Sequence, residues 1–375
     1  MPELDALRGI ACLMVLFFHG LANRYVPEHM NSVERVFIKL CSYGFTGVNL
    51  FFVLSGFLIT GILLETRQRT DYYSRFYIRR SLRILPLYYG ILLVVVLIWR
   101  LGLTDRPFSW GFLGLSAIYL ANMTPLFGVP IEFGVLWSLA VEEHFYLLWP
   151  TFVRRLKSRS LVMLAFALCI IALACRLAAF HLGRDVFGYY TWMVCDGLAM
   201  GSLLAIAIRY YRQDRKAMAK IAAIAFGYAM VCFAIEKRVA LTLTGAALQI
   251  SGINAFFAFV LVSVLLFGSR YAWRLPLLEF MGDISYGVYL MHTLVFDVFD
   301  AMARRHFPVL APEHLTFPLA SVRFVIVSAI TIACAWLSRW YFEEPFLRLK
   351  DRFASDQRNA PSETVASPAT GISAA

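Results

Sequence analysis

The sequence predicts an all-α polytopic integral membrane protein of about ten transmembrane helices, with a re-entrant or interfacial segment near 111–134. Three observations carry this expectation. Of 375 residues, 60% are hydrophobic and mean hydropathy is +0.67, whereas soluble domains are nearer half apolar. Apolar runs of about 20 residues, long enough to cross a bilayer core, recur from end to end. Basic clusters stand in the short connections, at 67–83, 154–159, 209–216 and 348–352. Lipid offers no partner for an unpaired backbone amide, so the runs must be helical. The alternating strands of an outer-membrane barrel are absent. The net charge of +11 sits where topology already accounts for it and does not argue for nucleic acid.

Each element follows in turn. The apolar runs fall near 7–23, 44–64, 84–101, 111–127, 135–153, 160–180, 190–208, 219–236, 240–267, 277–301 and 322–343. The first reads as a retained helix, because Glu3 and Asp5 offset Arg8 where a signal peptide would be positive. If the basic clusters face the cytoplasm, only one net crossing fits between residues 101 and 154. Run 135–153 is the more continuous. Run 111–127 holds Gly111, Gly114, Asn122, Thr124 and Pro125, a poor recipe for a regular span, so it is expected to dip in and return. Both termini then lie in the cytoplasm. Residues 1–353 form one transmembrane domain, and 354–375, small and polar, form a disordered tail. The seven cysteines are widely spaced with no CxxC pair, which suggests neither a zinc site nor a disulfide framework.

Five stretches bring polar groups into this apolar setting. In the first run, Arg8 and His19 lie 11 residues apart. That spacing puts them on one helical face, about 16 Å apart along the axis. An intramembrane histidine suits general-base work; its bland alternative is a histidine bonded within the bundle, beside an arginine that snorkels. In "FYIRRSLRILPLYY", Arg79, Arg80 and Arg83 precede a span, with Arg80 and Arg83 on one face. They could grip a phosphate or simply anchor the helix on the inner side. "WSLAVEEHFYLLWP" buries Glu142 and Glu143, which need partners or water, with Trp137 and His144 nearby. "MGDISYGVYLMH" carries Asp283 and Ser285, which could cap a helix, and then Tyr286, Tyr289 and His292. "GVNLFFVLSGFLIT" places Asn49, Ser55, Gly56 and Thr60 in a span, for close helix packing or for approach to an acyl chain.

In order along the chain, "LDALRGIA" with His19 eleven residues after Arg8, "FFVLSGFLIT", "RRSLRILPLYY", "LWSLAVEEHFYLLWP" and "ISYGVYLMH" resemble the motifs of the membrane-bound acyltransferase-3 family. The resemblance runs from about residue 3 to 345. It implies an O-acyltransferase that uses acyl-coenzyme A, usually acetyl-CoA, and acylates a saccharide or exported glycan at the bacterial inner membrane. The family's essential pair falls on Arg8 and His19, its RxxR on Arg80 and Arg83, and its acidic element on Glu142 and Glu143. His144 stands where glutamine is more common. The implied roles are His19, Glu142 and Glu143 in catalysis, and Arg8, Arg79, Arg80 and Arg83 on the coenzyme. Asp5, Ser55, Trp137, Tyr286 and His292 would surround them. No metal is implied; the partners are acyl-CoA, the glycan, the bilayer and glycan-synthesis machinery. The competing class is a proton-coupled transporter or flippase, for which the broken-helix pairs of an inverted repeat are not found by eye.

Overall fold

The computed structural model describes residues 2–24, 30–181, 189–211, 213–238, 243–271, 275–312 and 315–355. Among them every regular element is helical and no strand occurs. Helix α1 (Pro2–Phe17) runs on through a π turn, Phe18–Ala22, and is followed by α2 (Ser32–Ser42), α3 (Gly47–Thr66) and α4 (Tyr72–Arg100). Then come the short α5 (Trp110–Ala117), α6 (Leu136–Arg155), α7 (Ser158–His181), the single turn α8 (Thr191–Val194) and α9 (Asp196–Tyr211). The chain closes with α10 (Arg215–Arg238), α11 (Leu243–Tyr271), α12 (Pro276–Asp283), α13 (Ser285–His306), α14 (Phe317–Leu337) and α15 (Glu344–Ser355). The tail expected from 354 falls, beyond Ser355, outside the described residues.

Seven helical stretches are long and apolar enough to cross a membrane: Pro2–Ala22, Ser32–Thr66, Tyr72–Arg100, Ser158–Ala179, Arg215–Arg238, Gly245–Phe267 and Phe317–Leu349. The other three expected spans correspond to α6, α9 and α13. Helix α9 has only 16 residues, α6 carries Glu142 and Glu143, and α13 carries Asp297 and Asp300. Large apolar side chains stand outward around the bundle: Leu93, Leu147, Ile224 and Val325 are each at least 60% exposed. A belt of this kind needs lipid to cover it.

Between Arg100 and Leu136 the described residues hold no helix of membrane length. An eight-residue helix, α5, rises only about 12 Å. The chain then turns through Tyr119 and Gly128, both with positive φ (59° and 68°), around a 3₁₀ turn at Ala121–Phe127.

The small residues of α3 separate into two roles. A Cβ on Gly56 would lie 2.0 Å from the Leu198 carbonyl oxygen, and one on Gly201 would lie 2.1 Å from that of Val53, so α3 and α9 touch backbone to backbone. Thr60 donates to Ser202 (2.8 Å) and accepts from the Trp149 indole (2.8 Å), while Asn49 bonds Asn254 (2.8 Å). These three bind helices together, and only Ser55 turns toward the polar interior described below. Beside this seam Arg176 is wholly buried, donating to both Asp196 oxygens, to Ser251 and to the carbonyls of Met193 and Ala247. Gly56→Val is expected to destabilise the bundle by about 1–3 kcal/mol through overpacking. A wild-type unfolding midpoint in detergent would show that the two backbones are free to part.

Candidate active site

Two connected cavities occupy the bundle at the Arg8 end of α1. The larger, about 620 Å³, is lined by Arg75, Arg79, Arg80 and Arg83 of α4 and by Arg339 and Arg348, with the carboxylates Glu65, Asp283, Glu343 and Glu344 on the same walls. The smaller, about 90 Å³, shares Arg80, Arg83 and Tyr286 with it and adds Arg8, Ser55, Ser138, Glu142 and Tyr289. Residues far apart in the sequence, from α1, α3, α4, α6 and α13, thus meet in one place.

Charges are satisfied unevenly here. Arg80 lies over the Tyr146 ring, 3.9 Å from its centroid, and 4.0 Å from Glu142. Glu142 also accepts from Ser55 and Tyr146, each at 2.9 Å. Arg8 contacts Asp5 at 3.4 Å. Arg339 pairs with Glu344 (2.7 Å) and lies 3.7 Å from Asp283. Among the described residues, Arg79 and Arg83 form neither a hydrogen bond nor an ion pair, although both line the large cavity. Arginines not locked into an ion pair beside a cavity of this size can hold phosphate, although Asp283 and Glu343 lie close enough to act on Arg83. Tyr286 donates to the Ile84 carbonyl (2.8 Å), tying α13 to α4 behind them.

His19 stands at the other end of α1, inside the π turn. Its Nδ1 is 3.2 Å from the Val15 carbonyl oxygen and 3.1 Å from Nε2 of His292, whose own Nδ1 is 3.1 Å from the Val288 carbonyl oxygen. Neither Glu142 nor Glu143, to which the resemblance gives catalytic roles, hydrogen-bonds to the His19 imidazole. Packing of α6 against α3 gives Glu142 to Ser55 and Tyr146 instead. Glu143, one residue on and turned about 100° away, makes no hydrogen bond or ion pair among the described residues. His144 Nδ1 contacts the Thr191 hydroxyl (2.7 Å), and Trp137 packs edge-on to Phe52 and Tyr189, outside both cavities. Asp283 and Ser285 do not cap α13: Asp283 ends α12, and Ser285 Oγ donates to the Gly282 carbonyl (2.7 Å). Tyr289 and Ser138 line the small cavity with their hydroxyls 2.5 Å apart, and the Tyr289 ring centroid lies 5.8 Å from that of His292.

Around His19 lies an ion network that reading the motifs missed. Arg24 joins Asp297 and Asp300, each at 2.6 Å, and donates through Nε to the His19 carbonyl oxygen (3.1 Å). Arg106 pairs with Asp297 at 2.6 Å. Arg323, 1% exposed, joins Asp300 and donates to the Gly20 carbonyl oxygen (3.3 Å). The available signal was the pair Asp297 and Asp300, i and i+3 inside an apolar run, with Arg323 inside the next. Two more arginines of the large cavity had no motif to mark them: Arg339 lies inside the apolar run 322–343, and Arg348 belongs to the basic cluster at 348–352 that topology alone accounts for.

A helical bundle with an apolar exterior, an internal cavity lined by arginines and a buried histidine pair defines an integral membrane protein with an internal site. The family model described as an acyltransferase domain matches residues 1–340, and the chain belongs to that acyltransferase-3 family. Among similar proteins, the peptidoglycan O-acetyltransferase OatA of Listeria monocytogenes is 33% identical over 169 residues, covering 40% of this chain and 24% of the relative. The O-acetyltransferase OatA of Staphylococcus aureus is 28% identical over 233 residues, 55% of this chain and 34% of that protein. The Bacillus subtilis protein YrhL is 29% identical over 322 residues, 78% of this chain and 48% of that protein. The chain therefore spans less than half the length of each of these relatives. No solved structure matches it.

Asp300→Ala is expected to cost about 3–5 kcal/mol, since it strands the buried Arg323 charge. Adding Arg323→Leu should recover much of that loss. Thermal unfolding of the two purified variants checks both statements, and equal midpoints for Asp300→Ala and wild type would refute them.

Proposed function

We propose that the protein is an acyl-CoA-dependent O-acyltransferase of the bacterial inner membrane that moves an acetyl group onto a saccharide hydroxyl on the far side. Counting α6, α9 and α13 as spans gives ten crossings with both termini cytoplasmic. This follows because α6 and α13 fall short in apolarity through residues turned inward to the site. The large cavity then opens to the cytoplasm, where acyl-CoA is available.

The observation that carries the reading is the pair Arg79 and Arg83, which form no ion pair among the described residues, on a cavity of about 620 Å³ that shares Arg80 and Arg83 with the smaller cavity lined by Arg8. These arginines would hold the pyrophosphate and 3′-phosphate of the coenzyme, with the pantetheine arm along Ser55 and Ser138. Arg80 would exchange Glu142 for phosphate. Tyr289 must swing from Ser138 to admit the thioester to His19. There His19 takes the proton of the acceptor hydroxyl, the oxygen attacks the thioester carbonyl, the C–S bond breaks, and the thiolate leaves with the proton from His19. The relative named as a peptidoglycan O-acetyltransferase supports a peptidoglycan-type glycan as acceptor. On the His19 side, Trp99, Phe108 and Trp110 cluster within ring-contact distance beside Glu132 and Arg106, a surface on which a sugar ring can stack.

Labelled acetyl-CoA and a tetramer of N-acetylglucosamine, added to protein in lipid nanodiscs, test the reading. Wild type should release free thiol and label the saccharide; no thiol release would favour a transporter. His19→Ala should lower transfer by at least ~10²-fold with normal protein level in the membrane. Arg80→Ala with Arg83→Ala should raise the acetyl-CoA KM by at least about tenfold, each lost charge-assisted bond being worth roughly 1.5–3 kcal/mol. An unchanged KM would remove the phosphate clamp.

A further inference from the structure

We propose that His292 is the positioning residue for His19: its Nε2 lone pair accepts the His19 Nδ1 proton, holds the ring, and leaves His19 Nε2 as the basic nitrogen. A neutral imidazole carries one N–H. Both Nδ1 atoms stand 3.1–3.2 Å from the carbonyl oxygen four residues earlier, Val15 for His19 and Val288 for His292. A carbonyl oxygen only accepts, so both rings carry their proton on Nδ1. His292 Nε2 is then unprotonated, and at 3.1 Å it shares the His19 Nδ1 proton with Val15. The opposite assignment would point two ring lone pairs at two carbonyl oxygens. His292 is 1% exposed and fixed in α13, so it cannot turn away to water.

Among the described residues no carboxylate hydrogen-bonds to either imidazole. Asp297 and Asp300 of α13 are held by Arg24, by Arg106 from the segment before α5 and by Arg323 of α14, and neither bonds an imidazole. The position that an aspartate fills in a Ser-His-Asp triad is taken by a neutral ring. When His19 Nε2 takes a proton, its Nδ1–H becomes a charged donor and the bond to His292 strengthens, which stabilises the transition state relative to the resting enzyme. The catalytic half of this inference rests on the proposed acyl transfer; the assignment of the protons does not.

The test has one arm for each half. Nitrogen NMR of the full chain, labelled with ¹⁵N-histidine and reconstituted in lipid, should show His19 protonated at Nδ1 and bare at Nε2. A coupling across the hydrogen bond to His292 Nε2 should also appear. A His19 proton on Nε2 would overturn the proposal whether or not the protein transfers acetyl groups. In the thiol-release assay His292→Phe should lower kcat on the order of 10²-fold, with the acetyl-CoA KM within twofold of wild type. His292→Gln, whose amide oxygen can accept from Nδ1, should recover to within tenfold of wild type. A kcat for His292→Phe within threefold of wild type would overturn the positioning role, as would a His292→Gln protein that binds acetyl-CoA normally and is as slow as His292→Phe. Correct protonation in a wild type that releases no thiol would leave the pairing intact and sink only the acyltransferase reading.

Discussion

A cation inside a bilayer-spanning bundle must bring its counter-ions with it, because neither lipid nor apolar side chains can replace water around a charge. This constraint separates the arginines of the chain into two kinds. Arg176 has Asp196, Ser251 and two carbonyls; Arg323 has Asp300 and the Gly20 carbonyl. These are closed arrangements that need nothing further. Arg79 and Arg83 sit on a cavity with no carboxylate bonded to them, and Arg80 divides its charge between a carboxylate at 4.0 Å and the face of a tyrosine. Closed arrangements hold helices in place, whereas the open one is what a phosphorylated ligand would complete.

The closed network near Arg24 also explains the local shape of α1. A π turn displaces carbonyl groups from the regular ladder, and displaced carbonyls need donors. The His19 carbonyl takes Arg24 and the Gly20 carbonyl takes Arg323, while the same two arginines are fixed by Asp297 and Asp300 on α13. The widened turn at Phe18–Ala22 and the approach of α13 are therefore one feature. It brings His292 to His19, and it does so with Arg24, five residues beyond His19, with Asp297 and Asp300, five and eight residues beyond His292, and with Arg323 of the next helix.

Much of this was legible in the chain. The clustering of Arg8, Ser55, Arg80, Arg83, Glu142 and Tyr286 around one space follows from motifs whose polar residues had no other reason to sit in apolar runs. The lack of a membrane-length helix between 101 and 135 followed from Gly, Asn and Pro spacing. What could not be read was which polar group meets which. The 100° projection that placed Arg8 and His19 on one face assumes an uninterrupted α-helix, and a π turn begins at Phe18. The pairing of His19 with His292 spans 273 residues, a separation that no local pattern in the chain reaches. Helix α2 was missed although Asn31 and Glu34 form a capping box that the sequence displays openly.

The Ser138–Tyr289 contact gives the polar interior its order. Tyr289 lies one helical turn before His292 on α13, lines the small cavity, and bonds α6 across it. A continuous open channel from the arginines to the histidines would let water and ions through a membrane. A hydroxyl pair that breaks at the cost of one neutral hydrogen bond, about 1 kcal/mol net, can instead yield to an arriving chain and close behind it. In the proposed reaction the two ends of α1 are in this way kept apart at rest, Arg8 at the end that would bind phosphate and His19 at the end that would supply the basic nitrogen. Only a ligand long enough to be gripped at one end while its far end displaces Tyr289 would join them, which is the geometry of a thioester on a long flexible arm.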